Sequence, residues 1–484
     1  MDLWSYPNTF YEKKVRGKGD GKELCDLLVV CGDDVIVFSD KSCGWPEHDD
    51  LNVSWARWYR RAIEKSVDQI RGAERWLRQF PDRIFIDRAC STPMPISLPP
   101  PDRARIHGIA IAIGAEEACR HFCNDDDGSL MIFGVLKGKD HIDSSATAYM
   151  PFAIGDVDPV GPFVHVFDEL ALDLVMREMD TISDFTRYLR EREAFIRGER
   201  VLHAPNEAEL LAIYLQNGDD GGHIFPSPSM LGAADDDYKI TLAQGSYAAF
   251  IESAPYLAKK DADQASYVWD RLIGVFTENI LAGTSVAIQG EAPSAVRAEP
   301  ALRIMARENR VIRRALGAAF LGAMEAAERQ ARDRFARMIM PSEGMADPEC
   351  GYVFLILAYP KSFELRDGYE QYRKARAAML EAYCASFLYD HRNLKRMVGI
   401  AIDASSRVTE RQGGSEDLVA YEIDTWTPQL EASVREQRAH FDVLDANRLQ
   451  ISRLSIDEYP LDGQPSRLNR KSRRAAARRA RRRK

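Results

Sequence analysis

Two short apolar runs, Leu27 to Val30 and Val35 to Phe38, flank the turn Cys31-Gly32-Asp33-Asp34. Runs rich in β-branched residues and joined by a Gly/Asp turn predict a β-hairpin. Asp26 opens its first strand, and Ser39-Asp40-Lys41 closes its second. The period then changes. Over residues 52–80, Trp55, Tyr59, Ala62, Ser66, Ile70, Ala73, Leu77 and Phe80 recur at helical spacing, which predicts an amphipathic helix with one buried stripe. Upstream, PNTFYEKKVR predicts a short helix carrying Glu12.

Further strands are expected at Arg83–Asp87, Ile106–Ile113, Leu130–Val135 and Phe163–Phe167. The proline-rich stretch Cys90–Pro101 reads as a loop. Helices are expected at Asp168–Met179 and Ile182–Phe195, the second capped at Asp180-Thr181. Residues 1–200 thus predict a mixed α/β domain, and the Gly/Asp/Pro-rich segment within 201–237 a linker or long loop. Beyond it, helices are expected at Tyr267–Leu281, Pro300–Met340, Tyr369–Tyr389 and Pro428–His440. Strands are expected at Tyr352–Ala358, Arg396–Ile402 and Leu418–Ile423. Residues 238–460 therefore predict a second, helix-rich α/β domain. Arg303, Arg307, Arg310 and Arg314 fall on one helical stripe, which reads as a solvated face rather than a phosphate track.

Composition is that of a soluble globular chain, with 45% hydrophobic and 29% charged residues in 484. No apolar run approaches the roughly 20 residues that a membrane span needs, and MDLWSYPNTFYEKK has no apolar signal core. Eight scattered cysteines without a CxxC pair read as reduced thiols in a cytoplasmic protein. Cys119, His121 and Cys123 form one compact cluster that reads as helix packing, since zinc wants four ligands. His107, His141 and His165 read as structural or surface side chains.

Charge is unevenly spread. Of 65 Lys and Arg, 11 lie in the last 18 residues, which hold no acid; the other 54 face 74 Asp and Glu, so the body carries −20. The segment 461–484 predicts a disordered Arg-rich tail. Arg470, Lys471, Arg473, Arg474, Arg478 and Arg479 are its candidate nucleic-acid contacts, acting by counterion release and carrying little sequence information. The same tail could instead dock on acidic partners or on this chain's own acidic body.

Candidate chemistry centres on the hairpin. A carboxylate on one strand beside a lysine on its neighbour suits phosphodiester hydrolysis. The acid can hold a hard divalent cation, and the ammonium steadies charge developing on phosphate. Glu12, Asp26 and Lys41 in this arrangement resemble the PD-(D/E)xK, or restriction-endonuclease-like, nuclease superfamily, over about the first 90 residues. The resemblance implies a core in which an acid on a first helix, an Asp on the second strand and (D/E)xK on the third share one centre, with a helix then packing on the sheet. Here SDK stands in place of (D/E)xK, so Ser39 occupies the family's acidic position. The resemblance implies Asp26, Asp40, Lys41 and Ser39 as catalytic positions. It implies Asp26, Glu12 and Asp40, with the backbone carbonyl at position 40, as ligands of Mg²⁺ or Mn²⁺. Strand alternation turns Asp40 away from Ser39 and Lys41, so Asp40 would need a bulge to swing in. Alternation also ranks Glu23 below Glu12. Glu64 should face water, Glu74 flanks the stripe, and Gln69 sits at the stripe's edge, where relatives often place a glutamine.

The expected function is a metal-dependent nuclease acting on DNA in defence or repair. The alternative is a catalytically inactive nuclease fold that binds nucleic acid or protein partners, anchored by the tail. No P-loop, GxGxxG or GxSxG motif supports another class.

Overall fold

The structure is a computed structural model. It describes residues 3–12, 21–124, 127–219, 222–231, 238–282, 295–330, 333–359, 368–404, 415–443, 450–452 and 457–460. The Arg-rich tail lies outside the described residues. The chain is mixed α/β and divides into two compact units, Met1–Glu252 and Ser253–Lys484.

The first unit opens with a three-stranded antiparallel meander, β1 (Ser5–Tyr11), β2 (Lys22–Cys31) and β3 (Asp34–Ser42). A helix runs from α1 (Leu51–Tyr59) through a π-turn at Arg60–Glu64 into α2 (Lys65–Gln79). Strand β4 (Arg105–Ile113) then returns parallel to β3. After α3 (Glu116–Cys123), β5 (Met131–Lys137) and β6 (Ala153–Asp156), β7 (Val164–Phe167) completes the main sheet parallel to β4. Its order is β1-β2-β3-β4-β7. The unit closes with α4 (Glu169–Glu178), α5 (Ile182–Arg197), β8 (Val201–His203), α6 (Glu207–Gln216), β9 (Gly218–Asp219), β10 (Gly222–His223), β11 (Ile240–Thr241) and α7 (Ser246–Ile251).

The two sheet faces differ in chemistry. On one face Leu28, Val30, Val35, Val37, Ala110 and Ala112 pack against Tyr59, Ala62, Ile63, Val67, Ile70, Ala73 and Leu77 of the long helix. Small residues on β4 let that helix come close: a methyl group on Gly108 would fall 2.5 Å from Ile70 Cγ2. Gly108→Ala is therefore expected to destabilise the first unit by about 1–3 kcal/mol. A lowered urea midpoint checks this, and an unchanged midpoint would contradict the tight packing. The other face carries charge. Asp34 of β3 pairs with Arg105 at 2.7 Å and with Arg190 of α5 at 3.7 Å, and His107 lies 3.1 Å away. Arg192 and Glu207 form a fully buried ion pair at 2.8 Å beside His165 of β7. The family of histidines read as structural is thus absorbed into packing networks.

His141 is buried too. Its Nδ1 bonds the Gly138 carbonyl at 2.7 Å, and its Nε2 accepts from the Gly155 N–H at 2.9 Å. Burial pushes it down to about 4, so the neutral ring is the folded form. Its folded value lies below the unfolded 6.5, so its contribution is complete above pH 6.5 and is lost as pH falls towards 4. Comparing wild type with His141→Gln by thermal unfolding should show the wild type's relative stability shrinking across that window. A constant difference would contradict a neutral buried ring.

The second unit contains α8 (Ala254–Asp263), α9 (Ser266–Leu281), α10 (Ala295–Ala306), α11 (Arg310–Gln330), β12 (Arg334–Ile339), β13 (Cys350–Leu357), α12 (Gly368–Asp390), β14 (Arg396–Asp403), β15 (Glu416–Glu422), α13 (Pro428–His440) and β16 (Gln450–Ser452). Its sheet runs β15-β14-β13-β12-β16, with β13 and β14 parallel. Helix α12 covers one face through Leu380, Tyr383 and Phe387. Trp269 and Phe320 meet Tyr352 and Phe354 on the other.

Five expectations are corrected. PNTFYEKKVR is not a helix: its described part forms the end of β1, where Pro7 pairs with Leu27, Thr9 with Cys25 and Tyr11 with Lys22 of β2. Arg83–Asp87 is not a strand and contributes only bridges at Phe85. The segment 201–237 is more than a linker; it holds β8, α6 and a small hairpin within the first unit, which extends to Glu252 rather than 200. Pro300–Met340 is two helices and a strand, broken at residues 307–309. The arginine stripe is neither solvated nor a phosphate track where it is most buried: Arg310 pairs with Asp270 at 2.6 Å and Arg314 with Asp263 at 3.2 Å.

Candidate active site

The hairpin register decides which side chains meet. Leu28 pairs with Val37 and Leu27 with Phe38, so Asp26 falls opposite Ser39 at the point where the backbone ladder stops. There the Asp26 carboxylate takes over the bonding. Its Oδ2 accepts from the Asp40 backbone N–H at 2.8 Å and lies 3.4 Å from Lys41 Nζ. The Asp26 and Lys41 side chains are 27% and 30% exposed, whereas Ser39 is fully buried, so the ion pair is open to a ligand and the serine is not. Ser39 Oγ donates to Gln69 Oε1 of α2 at 2.9 Å. This ties the end of β3 to the long helix. Asp26, Ser39, Lys41 and Gln69 thus share the helix-covered face of the sheet.

Glu23 is an addition that alternation alone missed. Thr9 pairs with Cys25, but Phe10 pairs with Glu23, so β2 bulges at Leu24. A bulge places two residues against one and breaks the two-residue period. Leu24 and Cys25 are accordingly both buried. Past the bulge the Glu23 carboxyl comes against Asp26. Burial, a hydrogen bond shared with Asp26 and the Asp26 charge hold Glu23 above the usual carboxylate range, while Lys41 and Arg88 pull the other way. Arg88 arrives on the loop after α2, where its carbonyl accepts from the Gly21 N–H at 2.7 Å. A double burial signal at Leu24-Cys25, apolar residues in adjacent positions ahead of Asp26, was the trace of the bulge in the sequence. Beneath the site, burial pushes the Cys25 thiol up to about 12, so it is an inert packing group bonded to Thr9 at 3.2 Å.

Two expected metal ligands do not join this centre. Glu12 follows Tyr11, which pairs with Lys22; with the bulge at Leu24 between, that lies three strand steps, about 10 Å, from Asp26. Asp40 keeps its outward direction because β3 pairs with β4 without a bulge, Ser39 to Ala110, Asp40 to Ile111 and Lys41 to Ala112. What Asp40 supplies is its backbone N–H. Among the described residues no group of three or more His, Cys, Asp or Glu is placed to hold a metal ion. Glu74 is buried and paired with Arg78 at 2.9 Å, away from this chemistry. The compact Cys119–Cys123 pair lies on α3 as helix packing, and none of the eight cysteines forms a disulfide.

The donor set still suits a hard cation. Two carboxyl groups in contact, one of them held above its ordinary range by burial and by the other, are what a divalent ion relieves. Mg²⁺ commonly takes only one or two protein carboxylates and fills its shell with water and substrate phosphate. Asp26 and Glu23 would hold it here. Compared with family models, curated proteins and solved structures, the chain matches none of them. Among the described residues no helix is long and apolar enough to cross a membrane.

Proposed function

We propose that the first unit is a divalent-cation-dependent nuclease whose centre is Asp26, Glu23 and Lys41. One observation carries the reading: an acid and a lysine on adjacent strands meet at 3.4 Å, partly exposed at the end of the hairpin, with the carboxylate oriented by a backbone N–H. The meander, the long helix laid on it and a further strand parallel to β3 support the resemblance to the PD-(D/E)xK superfamily. A bound cation would polarise a phosphoryl oxygen and lower the pKa of a water. Lys41 would steady the charge on the phosphoryl oxygens, and the Asp40 N–H would fix the Asp26 carboxylate. The Ser39–Gln69 bond would hold the strand end in place.

A second reading has its own support. Ser39 is buried and engaged with Gln69, so the superfamily's acidic position offers no carboxylate. A catalytically inactive nuclease fold that binds nucleic acid or protein partners would have this form. Incubation of DNA and RNA with the full-length protein and Mg²⁺ or Mn²⁺ separates the two readings. Cleavage stopped by EDTA supports the first, and binding without cleavage supports the second.

In either reading the tail serves as a non-specific anchor. Its 11 positive charges should steepen the fall of log affinity with log salt. Removing residues 467–484 should flatten that slope and weaken binding equally for all sequences. A salt titration of both proteins checks this, and an unchanged slope would sink the anchor role.

A further inference from the structure

We propose that the cleft beyond the carboxyl ends of β3 and β4 takes a nucleobase with an exocyclic amine, from an unpaired nucleotide whose phosphate lies at Lys41. The proposal rests on the nuclease reading. The cleft has a volume of about 750 Å³, room for a nucleotide. It begins close to the ion pair. Lys41 pairs with Ala112, and the Cys43 N–H reaches the Ile113 carbonyl at 3.0 Å. Gly114, in the cleft floor, is two residues beyond Ala112, about 7 Å along the strand. Gly114 has φ +107°, and a side chain there would collide with the Cys43 carbonyl, so the two strand ends close up only over a glycine.

The lining combines aromatic rings with carboxylates. Trp45 stacks on Phe152 with ring centres 5.2 Å apart and planes 24° off parallel, and Phe122 packs on the same ring at 5.4 Å. Phe152 is fully buried, so it backs both rings, while Phe122 remains 40% exposed to the cleft. Aromatic faces held this way stack bases without regard to sequence. Glu116, Glu117 and His121 of α3, the helix that also carries Phe122, line the cleft too. Both Glu116 oxygens accept from the Gly114 N–H, at 2.9 and 3.0 Å, so Glu117 is the carboxylate left to meet a ligand. A carboxylate repels phosphate and accepts from an amine. Cytosine, adenine and guanine offer that amine, and uracil and thymine offer a carbonyl instead. Charge therefore sorts the nucleotide, phosphate towards Lys41 and base towards Glu117.

Binding of the full-length protein to short labelled oligo(dC) and oligo(dT), in EDTA, tests this, alongside tryptophan quenching by cytidine and uridine. The basic tail adds equally to both oligonucleotides, so the difference between them reports the cleft. Oligo(dC) should bind more tightly than oligo(dT), and cytidine should quench more than uridine. Phe122→Ala should weaken oligo(dC) binding about tenfold, and Glu117→Gln should erase the preference while the fold, by circular dichroism, is unchanged. Equal binding of the two oligonucleotides, or wild-type binding by Phe122→Ala, overturns the proposal. Quenching by tetramethylammonium but not by cytidine also overturns it and reassigns the cleft to a cationic ligand. Cleavage is scored separately. Cleavage with no cleft preference fails the base site alone, and a cleft preference with no cleavage fails the nuclease reading alone.

Discussion

Lys41→Ala is expected to lower the single-turnover rate of DNA cleavage by about a hundredfold or more while leaving Mn²⁺ affinity nearly intact. The lysine is a charge stabiliser in this account, and removing one such donor from a transition state typically costs 10²–10³ in rate. The cation would sit on Asp26 and Glu23, so Lys41 should not control its binding. Two companion variants sharpen the expectation. Glu23→Gln should weaken Mn²⁺ binding and slow cleavage together, because that carboxyl lies against Asp26. Glu12→Gln should do neither, because Glu12 sits at the far end of β1. A quenched-flow rate unchanged in Lys41→Ala would mean that the Asp26–Lys41 pair is only a strand-end salt bridge. Exposed pairs of that kind contribute little.

Arg376→Ala should be the most destabilising single change in the second unit, by about 3–5 kcal/mol. Arg376 is fully buried on α12. Its Nε donates to Asp417 at 2.7 Å, one terminal nitrogen donates to Asp403 and the other to Ser415 Oγ at 2.7 Å. Asp403 ends β14 and Asp417 lies in β15, so the guanidinium joins the helix to two strands. Asp403 also accepts from Tyr369, which bonds Ser415 at 2.7 Å. Removing the cation leaves Asp403 with Tyr369 and Asp417 with Arg373 at 3.3 Å, two buried carboxylates each short of their main donor. Arg376→Lys should recover little, since an ammonium cannot reach both acids with the fork geometry of a guanidinium. Urea unfolding of each variant measures the effect. A midpoint shift corresponding to under 1 kcal/mol would show that water reaches and solvates the aspartates.

Local periodicity made much of the architecture legible. The 24–41 hairpin, the long helix, and the 428–440 helix follow from apolar spacing and turn chemistry that no distant contact overrides. The Asp26–Lys41 meeting was legible for the same reason, since a hairpin turn fixes its own register. Glu12 is misassigned from sequence because PNTFYEKKVR lacks a strand's alternation and extends only by pairing with β2, and a single segment cannot reveal its partner. Glu23 was passed over because a bulge at Leu24 depends on pairing with β1, and strict alternation then predicts the wrong face. The arginine stripe of α11 failed similarly. Helical spacing puts the four arginines on one stripe, but the helix breaks at 307–309, and Asp270 and Asp263, which pair with Arg310 and Arg314, are remote in the sequence.

Single-turnover DNA cleavage by wild type and Asp26→Asn, side by side in Mn²⁺ at equal concentration, tests the central claim most directly. Asp26 accepts from Asp40, faces Lys41 and would share the cation with Glu23, so the asparagine keeps the shape and removes the charge. EDTA-sensitive cleavage by the wild type is expected, with a loss of at least about a hundredfold in Asp26→Asn. Equal rates in the two proteins, or no cleavage by the wild type of single- or double-stranded DNA, would contradict it.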